Sequence, residues 1–236
     1  MRRVFVFLFG VSLLICASLP LGAADELHAR ADRVSGRIKE KEQELVILEG
    51  NVVITHGRTA IETERAVYDK TAGTLTCTGR VRLRHEGVEI EAEELVYLRR
   101  TKKGTFRGTV RLSRAEEKDE TGKVTKDPFT LTCRELVFAS ESKEFTARGE
   151  ATMVHAEFTA TAAEIAYDDA HQELRLTGSP TLVHKDETIE AEEIVIAVEK
   201  DTFTIRKAEI SFLVEEEDEG SEAGGATGGA STPPGS

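Results

Sequence analysis

Apolar and polar residues alternate along most of this chain with a period of two, which is the pattern of β-strands that have one covered face. Around Gly79, the apolar residues share one parity, and threonine and arginine share the other. The apolar set is Leu75, Cys77, Val81 and Leu83. Glycines interrupt the segments too often for helices, so the pattern favours strands.

The alternating segments recur at a regular interval that is marked by glycine. The glycines are Gly50, Gly79, Gly108, Gly149 and Gly178, separated by 29, 29, 41 and 29 residues. A fixed period of this size is typical of repeat architectures, in which each unit buries its apolar face against its neighbours. The longer third interval contains a polar, charged insertion at 115–127, for which we expect a surface hairpin loop.

Each unit also contains a second strand that opens with an apolar residue and has a small or short residue two positions later. The small residues are Thr63, Ala92, Cys133, Ala162 and Ala191. These strands end in pairs such as Val96-Tyr97, where both parities are apolar, which indicates a bulge or burial on both faces. Small inward residues either leave room for the hydrocarbon of a ligand or let two sheets approach closely.

These patterns predict an all-β domain of repeated antiparallel strands stacked into an elongated solenoid. Its apolar inner face is predicted to consist of eighteen residues: Val52, Ile54, Ile61, Leu75, Val81, Leu83, Ile90, Val96, Phe106, Val110, Leu112, Leu131, Phe145, Met153, Leu174, Leu176, Leu182 and Ile189.

Both ends of the chain differ in composition from this array. Residues 1–24 have two arginines, an apolar run to Ile15 and small residues up to Ala24, which is the order of a cleavable signal peptide. The apolar run is short for a transmembrane helix, although an uncleaved anchor is the alternative. We expect the folded domain at 25–214 and a disordered tail, acidic and then rich in glycine, serine and proline, at 215–236.

The net charge limits the possible partners, and the cysteine positions indicate whether the thiols are structural. The net charge is −12, which argues against nucleic acid as a partner, because phosphate backbones bind to basic surfaces. Cys77 and Cys133 occupy positions that are apolar or small in other units, so burial explains both. A disulfide between them is the alternative in an oxidising compartment.

A column of histidines is the most conspicuous candidate for chemistry. His56, His85, His155 and His184 each follow the glycine of their unit by six residues, and Arg114 fills that position in the third unit. A metal needs ligands converging within about 2.0–2.1 Å of it, whereas adjacent strands lie about 4.8 Å apart. The column therefore indicates polar strand ends or a basic rim that meets anionic headgroups, and we predict neither a metal nor a cofactor.

Carboxylate pairs also recur, as in Glu91 with Glu93 and Glu190 with Glu192. Their repetition on equivalent strands is what the solvated outer face of a sheet produces. The sequence contains no Gly-x-Ser-x-Gly, no Cys-x-x-Cys and no phosphate-binding glycine loop. We therefore predict that the protein is not an enzyme.

Three segments carry a resemblance to a known family. LEGNVVITHG, TGRVRLRHEGVEIEAEELVY and TGSPTLVHKDETIEAEEIVI resemble the OstA-like family of Gram-negative envelope proteins, and the likeness extends over about 31–214. The resemblance implies a half-open β-jellyroll, or β-taco, in the periplasm, with an inner apolar face that shelters the lipid A acyl chains of lipopolysaccharide. It also implies edge-to-edge strand pairing with an inner-membrane anchor and an outer-membrane translocon.

Strand pairing of this kind requires exposed edges, because an edge strand has unpaired backbone groups. We predict one edge near 45–56 or in the irregular segment before it, and the other at 203–214, with homo-oligomers as a further outcome. The predicted edge residues are Val52, Val53, Ile54, Phe203, Ile205, Ile210 and Phe212.

Two functions of different classes follow from these observations. The first is a non-enzymatic bridge that carries lipopolysaccharide from the inner to the outer membrane through the apolar groove, or an inner-membrane-anchored relative in the same system. The second is a structural or adhesive solenoid with a filled core that binds proteins on its outer face. The alanine-rich inner positions favour the first, since a filled core does not need them.

Overall fold

The structure is a computed structural model that describes residues 27–39, 42–122, 124–155, 158–185, 187–197 and 202–212. The predicted signal peptide and acidic tail lie outside these residues. The strands are β1 (His28–Arg30), β2 (Arg33–Lys39), β3 (Glu42–His56), β4 (Thr59–Asp69), β5 (Thr74–His85), β6 (Val88–Leu98), β7 (Lys103–Arg114), β8 (Glu117–Lys118), β9 (Val124–Lys126), β10 (Phe129–Ala139), β11 (Glu144–His155), β12 (Phe158–Asp168), β13 (Glu173–Thr177), β14 (Thr181–His184), β15 (Glu187–Glu190), β16 (Glu193–Ala197), β17 (Thr202–Arg206) and β18 (Glu209–Phe212).

Sixteen strands pair antiparallel in one sheet, and most partners are neighbours along the chain. From β3 to β12 the sheet order follows the chain order, except that β8 and β9 form a separate hairpin. Beyond β12 each long strand is divided: β13 and β14 both pair with β12, and β16 and β15 continue from them. Local hairpins joined by short turns therefore build most of the array.

A β-bulge interrupts the long strands at the glycine of each unit. Gly79 and Arg80 have φ angles of 78° and 45°, and the ladder shifts there between Thr78 and Val81, opposite Glu93. Two residues on one strand thus face one residue on the next, which bends the strand and increases its twist. The same shift occurs at Gly50 and Gly149, so the bulges form a line across the sheet.

This line divides the sheet into two parts that we name by the side chains near their outer ends. The histidine-side half-sheet contains the strand segments that end near His56, His85 and His155. The tyrosine-side half-sheet contains the segments that end near Tyr68, Tyr97 and Tyr167.

One face of the sheet is buried across both half-sheets. Phe106 and Leu131 on this face are both 0% exposed. The described residues contain no helix and no second large sheet that could cover it, so the two half-sheets must cover each other along the line of bulges. The prediction of an all-β, repeated antiparallel fold with a half-open shape is confirmed.

The ends of the sheet lie partly where the sequence placed them. β1 and β2 both pair with β3. Val53 and Ile54 of β3 therefore have partners on both sides and do not form an edge, and Val52 lies between the segments of β3 that pair with β1 and with β2. The N-terminal edge is the irregular segment that precedes them, the second of the two predicted positions. At the other end, β17 and β18 pair on one side only among the described strands, and they contain the four predicted C-terminal edge residues.

The insertion forms the short hairpin of β8 and β9, as expected for a surface loop. No helix in the described part of the chain is long and apolar enough to cross a membrane.

Candidate functional site

The inner face of the folded sheet is the largest apolar feature of the described chain. Sixteen of the eighteen residues predicted for it are buried: Val52, Ile54, Ile61, Val81, Leu83, Ile90, Phe106, Val110, Leu112, Leu131, Phe145, Met153, Leu174, Leu176, Leu182 and Ile189. Leu75 is partly buried and packs against the same cluster. Alternation alone thus located this face.

Val96 is the exception, because it lies on the outer face. It pairs with Thr76 and Thr105, whereas its neighbours Leu95 and Tyr97 point inward. The reason is the bulge, where the single residue Glu93 faces Gly79 and Arg80. Beyond a single-residue step of this kind, the inward parity of the second strand is reversed.

The same reversal explains many of the inner residues that the sequence analysis missed. Seven of them follow the bulge on the second strand of their units: Leu95, Leu136, Phe138, Ile165, Tyr167, Ile194 and Ile196. Leu48, Val88, Phe129 and Phe158 are also buried in the core, but they precede the bulge and the reversal does not account for them. The adjacent apolar pairs at these strand ends were the available signal. Reversing the inward parity after the bulge identifies which residue of each pair faces inward.

The two half-sheets have different inner surfaces. On the tyrosine side, aromatic rings contact one another: Phe106 and Phe138 have centroids 5.8 Å apart, and Phe145 and Tyr167 are 5.7 Å apart. On the histidine side, alanines oppose other small or flexible side chains, with Ala151 paired to Ala162 and Met153 to Ala160. At β11 and β12 the histidine side is therefore less bulkily filled than the tyrosine side.

The histidine column lies on the inner face and at its rim, not on the outer surface. His85 continues the inward parity of Val81 and Leu83, and it is buried. Its Nδ1 lies 2.9 Å from Thr59 Oγ1, and its Nε2 lies 3.8 Å from a Glu86 carboxylate oxygen. Ring contacts extend the rim, since the His155 and Phe158 rings stack at 5.1 Å.

These histidines do not converge on a common point. No group of three or more metal-ligating side chains occurs within the described ranges. The column is instead a row of polar side chains along the mouth between the two half-sheets.

Burial lowers the pKa of His85, and Arg58 adds to this effect while Glu86 opposes it. The unfolded state therefore binds more protons than the folded state as the pH falls from the ordinary histidine pKa of about 6.5. The stability contributed by neutral His85 is complete above that pH and is lost as the pH falls through the lowered value. We expect His85→Gln to reduce the loss of unfolding free energy between pH 7.5 and 5.5, measured by urea denaturation.

His171 provides a control of opposite sign. Its hydrogen bond to Asp168 raises the pKa of this exposed imidazole, so its contribution is present at low pH and is lost as the pH rises. His171→Gln should therefore make the acid-induced loss slightly steeper, with a small effect because the pair is solvated. An unchanged pH dependence in His85→Gln would contradict the assignment.

Cys77 in β5 and Cys133 in β10, the two cysteines of the described residues, are free thiols and both are buried. Burial raises the pKa of Cys77 to about 12 and that of Cys133 to about 11. Both thiols therefore stay protonated at neutral pH, which makes them inert members of the core.

The outer face carries ion pairs between neighbouring strands. Arg82 Nη2 lies 2.6 Å from Glu91 Oε1, and Arg84 Nη1 lies 2.9 Å from Glu62 Oε1. Such exposed pairs contribute little to stability, because water screens the charges and holding two long side chains in one geometry costs entropy. The carboxylates considered for acid–base chemistry are thus part of a solvated, cross-strand charge pattern.

Sequence comparison places this architecture in a known family. The family model described as "LptA/(LptD N-terminal domain) LPS transport protein" matches residues 60–202, which is more than half of the chain. The chain belongs to this family. The resemblance to the OstA-like proteins of lipopolysaccharide transport is confirmed at the family level, and the match covers the repeats from β4 to the start of β17.

Other comparisons with the LptA/LptD N-terminal domain family are weaker. LptH of Pseudomonas aeruginosa, described as the LptA homologous periplasmic component of the conserved lipopolysaccharide transport device, has a solved structure that matches this chain at 14% identity. The match covers 82% of this chain and 100% of that chain, with a TM-score of 0.24. No curated protein gives a significant match.

Proposed function

We propose that this protein is an LptA-type periplasmic bridge that binds the acyl chains of lipopolysaccharide on its inner face and carries the lipid between the two membranes without covalent chemistry. The observation that carries the proposal is the uninterrupted apolar inner face, which runs through every unit from β3 to β16. Membership in a lipopolysaccharide-transport family supplies the substrate class.

The inner face is already buried against itself, so an acyl chain can enter only where the half-sheets separate. Separating the half-sheets costs a free energy of about 25 cal/mol for each Å² of apolar surface that becomes exposed to water. An acyl chain that covers the same area recovers that free energy. The alanines of β11 and β12 reduce the apolar contact that must be broken on the histidine side.

Repetition suits transport along the sheet. Every unit presents the same kind of apolar surface, so a lipid meets similar environments at successive positions. At the two ends, β1 with β2 and β17 with β18 pair on one side only among the described strands, so each end can accept a strand from a related domain by strand addition. Continuous sheets formed in this way would extend the inner face from one membrane partner to the other, and homo-oligomers would use the same edges.

Photo-crosslinking tests the proposal. A photo-reactive amino acid at Val81, Leu83, Phe106 or Val110 should capture lipopolysaccharide in cells, because these side chains lie on the inner face. The same group at Arg80 or Arg82 should capture little, because both side chains point outward into the ion-pair pattern. Arg82 and Val81 are adjacent, so the comparison holds the position along the sheet constant.

Equal capture from both faces would refute the groove. Capture confined to Arg80 and Arg82 would place any lipid on the outer surface instead. Immunoblotting of the crosslinked product with an antibody to lipopolysaccharide distinguishes these outcomes.

Complete burial of the inner face also favours a second function, a structural solenoid that binds protein partners on its outer surface. Phe106, Val110 and Leu131 are all 0% exposed, as in a filled core. A structural solenoid should contain no bound lipid after gentle purification from a lipopolysaccharide-producing host. The bridge should still contain bound lipopolysaccharide. Native mass spectrometry measures the difference.

A further inference from the structure

Arg114 is a buried cation at the mouth of the folded sheet. It ends β7 with the same inward parity as Val110 and Leu112, and only 4% of it is exposed. Its guanidinium carbon lies 5.0 Å from the centre of the Phe129 ring, which is also on the inner face. In the other units this rim position holds histidine.

The guanidinium is held from one side only. Its Nε and Nη2 donate to the Asp127 carbonyl oxygen at 3.3 and 3.0 Å. Among the described residues, the buried Nη1 has no hydrogen-bond acceptor, and no carboxylate lies within ion-pair distance of the guanidinium. The two N–H groups of Nη1, on a charged side chain, are thus left without a partner among the described residues.

A buried cation without an acidic partner is costly, because desolvation is not offset by a nearby charge. Burial lowers the pKa of Arg114, and the negative charges of the Glu117 and Asp127 carboxylates offset this shift only in part. Arginine nevertheless stays protonated in proteins. A position of this kind is expected where the missing acceptor is supplied by a ligand.

We propose that Arg114 anchors an anion site at the mouth of the inner face, which takes a phosphate group on the headgroup of the bound amphiphile. The proposal rests on the proposed lipid-binding function, since the acyl chains would occupy the inner face beside it. Guanidinium groups bind phosphate with charge-assisted hydrogen bonds that fix its orientation.

The neighbouring rim residues fit this assignment. One strand separates β7 from His85 of β5, and one strand separates it from His155 of β11, so the three side chains lie within about four strand spacings of 4.8 Å. The buried His85 Nε2 also has no hydrogen-bond acceptor among the described residues, with Glu86 as its nearest carboxylate at 3.8 Å. A phosphate presents several oxygens and can accept from Arg114 and an imidazole at once.

The insertion of the third unit has a role in this site. Asp127, at its end, supplies the carbonyl that orients the guanidinium, and a side chain on Gly87 would come within 2.9 Å of Glu117 at its start. The hairpin therefore lies over the rim at the one unit where arginine replaces histidine. The insertion and the replacement of histidine by Arg114, which are the two departures of this unit from the repeat, thus lie at the same place on the rim.

Calorimetric titration of the full mature chain tests the site with three probes: dioctanoyl phosphatidic acid, dioctanoylglycerol and inorganic phosphate. We expect Arg114→Gln to weaken phosphatidic acid binding by about tenfold to a hundredfold, as loss of a charged hydrogen bond predicts. Dioctanoylglycerol, which has the same chains and no phosphate, should bind unchanged. Arg114→Lys should restore part of the affinity, because it keeps the charge and loses the fork.

Arg111→Gln is the matched control. Arg111 lies in the same strand, three residues earlier, and is exposed on the outer face, so it should leave all three titrations unchanged. Equal weakening of both amphiphiles by Arg114→Gln, with a lower melting temperature, would show a structural role and overturn the proposal. No change in phosphatidic acid binding would overturn it as well.

The inorganic phosphate titration separates this proposal from the proposed function. If the wild type binds neither amphiphile, the lipid-bridge function fails. The anion site then stands if phosphate binding is lost in Arg114→Gln, and it falls if phosphate binding is absent or independent of Arg114. Phosphate binding without any amphiphile preference would assign the site to free phosphate.

Discussion

Replacing Phe106 by alanine should lower the free energy of unfolding by about 3–5 kcal/mol, the range for removing a fully buried aromatic ring. Phe106 is 0% exposed, and its ring lies 5.8 Å from that of Phe138 on the next strand in the sheet. Its removal eliminates this contact and leaves a cavity that the surrounding strands cannot fill completely. Urea denaturation followed by circular dichroism measures the loss.

Val154→Ala is the control for this prediction. Val154 is 47% exposed on the opposite face of β11, and its truncation should change the unfolding free energy by no more than about 0.5 kcal/mol. Similar losses from the two substitutions would mean that the inner face is not a packed core.

Phe106→Ala also distinguishes the two functions considered above. A cavity lined by apolar side chains binds apolar ligands, so a lipid-binding face should accept an acyl chain in the vacated space. Added lipid should then raise the melting temperature of the variant more than that of the wild type, because a ligand that binds the folded state stabilises it. A filled structural core that remains closed would show no such recovery.

Gly108→Ala should destabilise the fold by about 3 kcal/mol. Gly108 has a φ of 96° at the bulge, and forcing another residue into such a conformation costs about 1–3 kcal/mol. An added Cβ would also lie 2.5–2.7 Å from Cβ, Cγ and Cδ of Glu93. The Cβ of Glu93 cannot move without its backbone, so overpacking adds about 1–3 kcal/mol.

Gly122→Ala separates the two contributions to this loss. Gly122 has a φ of 82°, and no atom lies within 4 Å of its hypothetical Cβ. Gly122→Ala should therefore lower the free energy of unfolding by only about 1 kcal/mol, from the backbone conformation alone. Chemical denaturation of both variants gives the difference directly. Equal losses would show that the close approach at the bulge line has no energetic consequence.

The bulge line connects stability with function in this fold. Gly50, Gly79, Gly108, Gly149 and Gly178 each have positive φ angles, and together they place the bend at the same point of every unit. A continuous bend brings the two half-sheets face to face along their whole length. The proposed lipid path depends on that continuity, so a single impaired bulge should affect transport beyond its own unit.

The sequence by itself determined the repeat, the strand positions and most of the inner face. Alternation is sufficient for this because successive side chains of a strand point to opposite faces, and each unit repeats the same pattern. Sixteen predicted inner residues, among them Val81, Phe106 and Met153, are buried in the structure. The insertion at 115–127 was recognisable because it broke a constant period.

Tertiary structure decided what alternation cannot express. The orientation of Val96 depended on how many residues face each other across a bulge, which is a property of paired strands and not of one strand. The edge position depended on β1 and β2, whose charged sequence has no clear alternation, pairing with β3. The place of Arg114 depended on the fold as a whole, because a polar strand end becomes a buried cation only when the sheet closes over it and the Asp127 carbonyl binds it from one side.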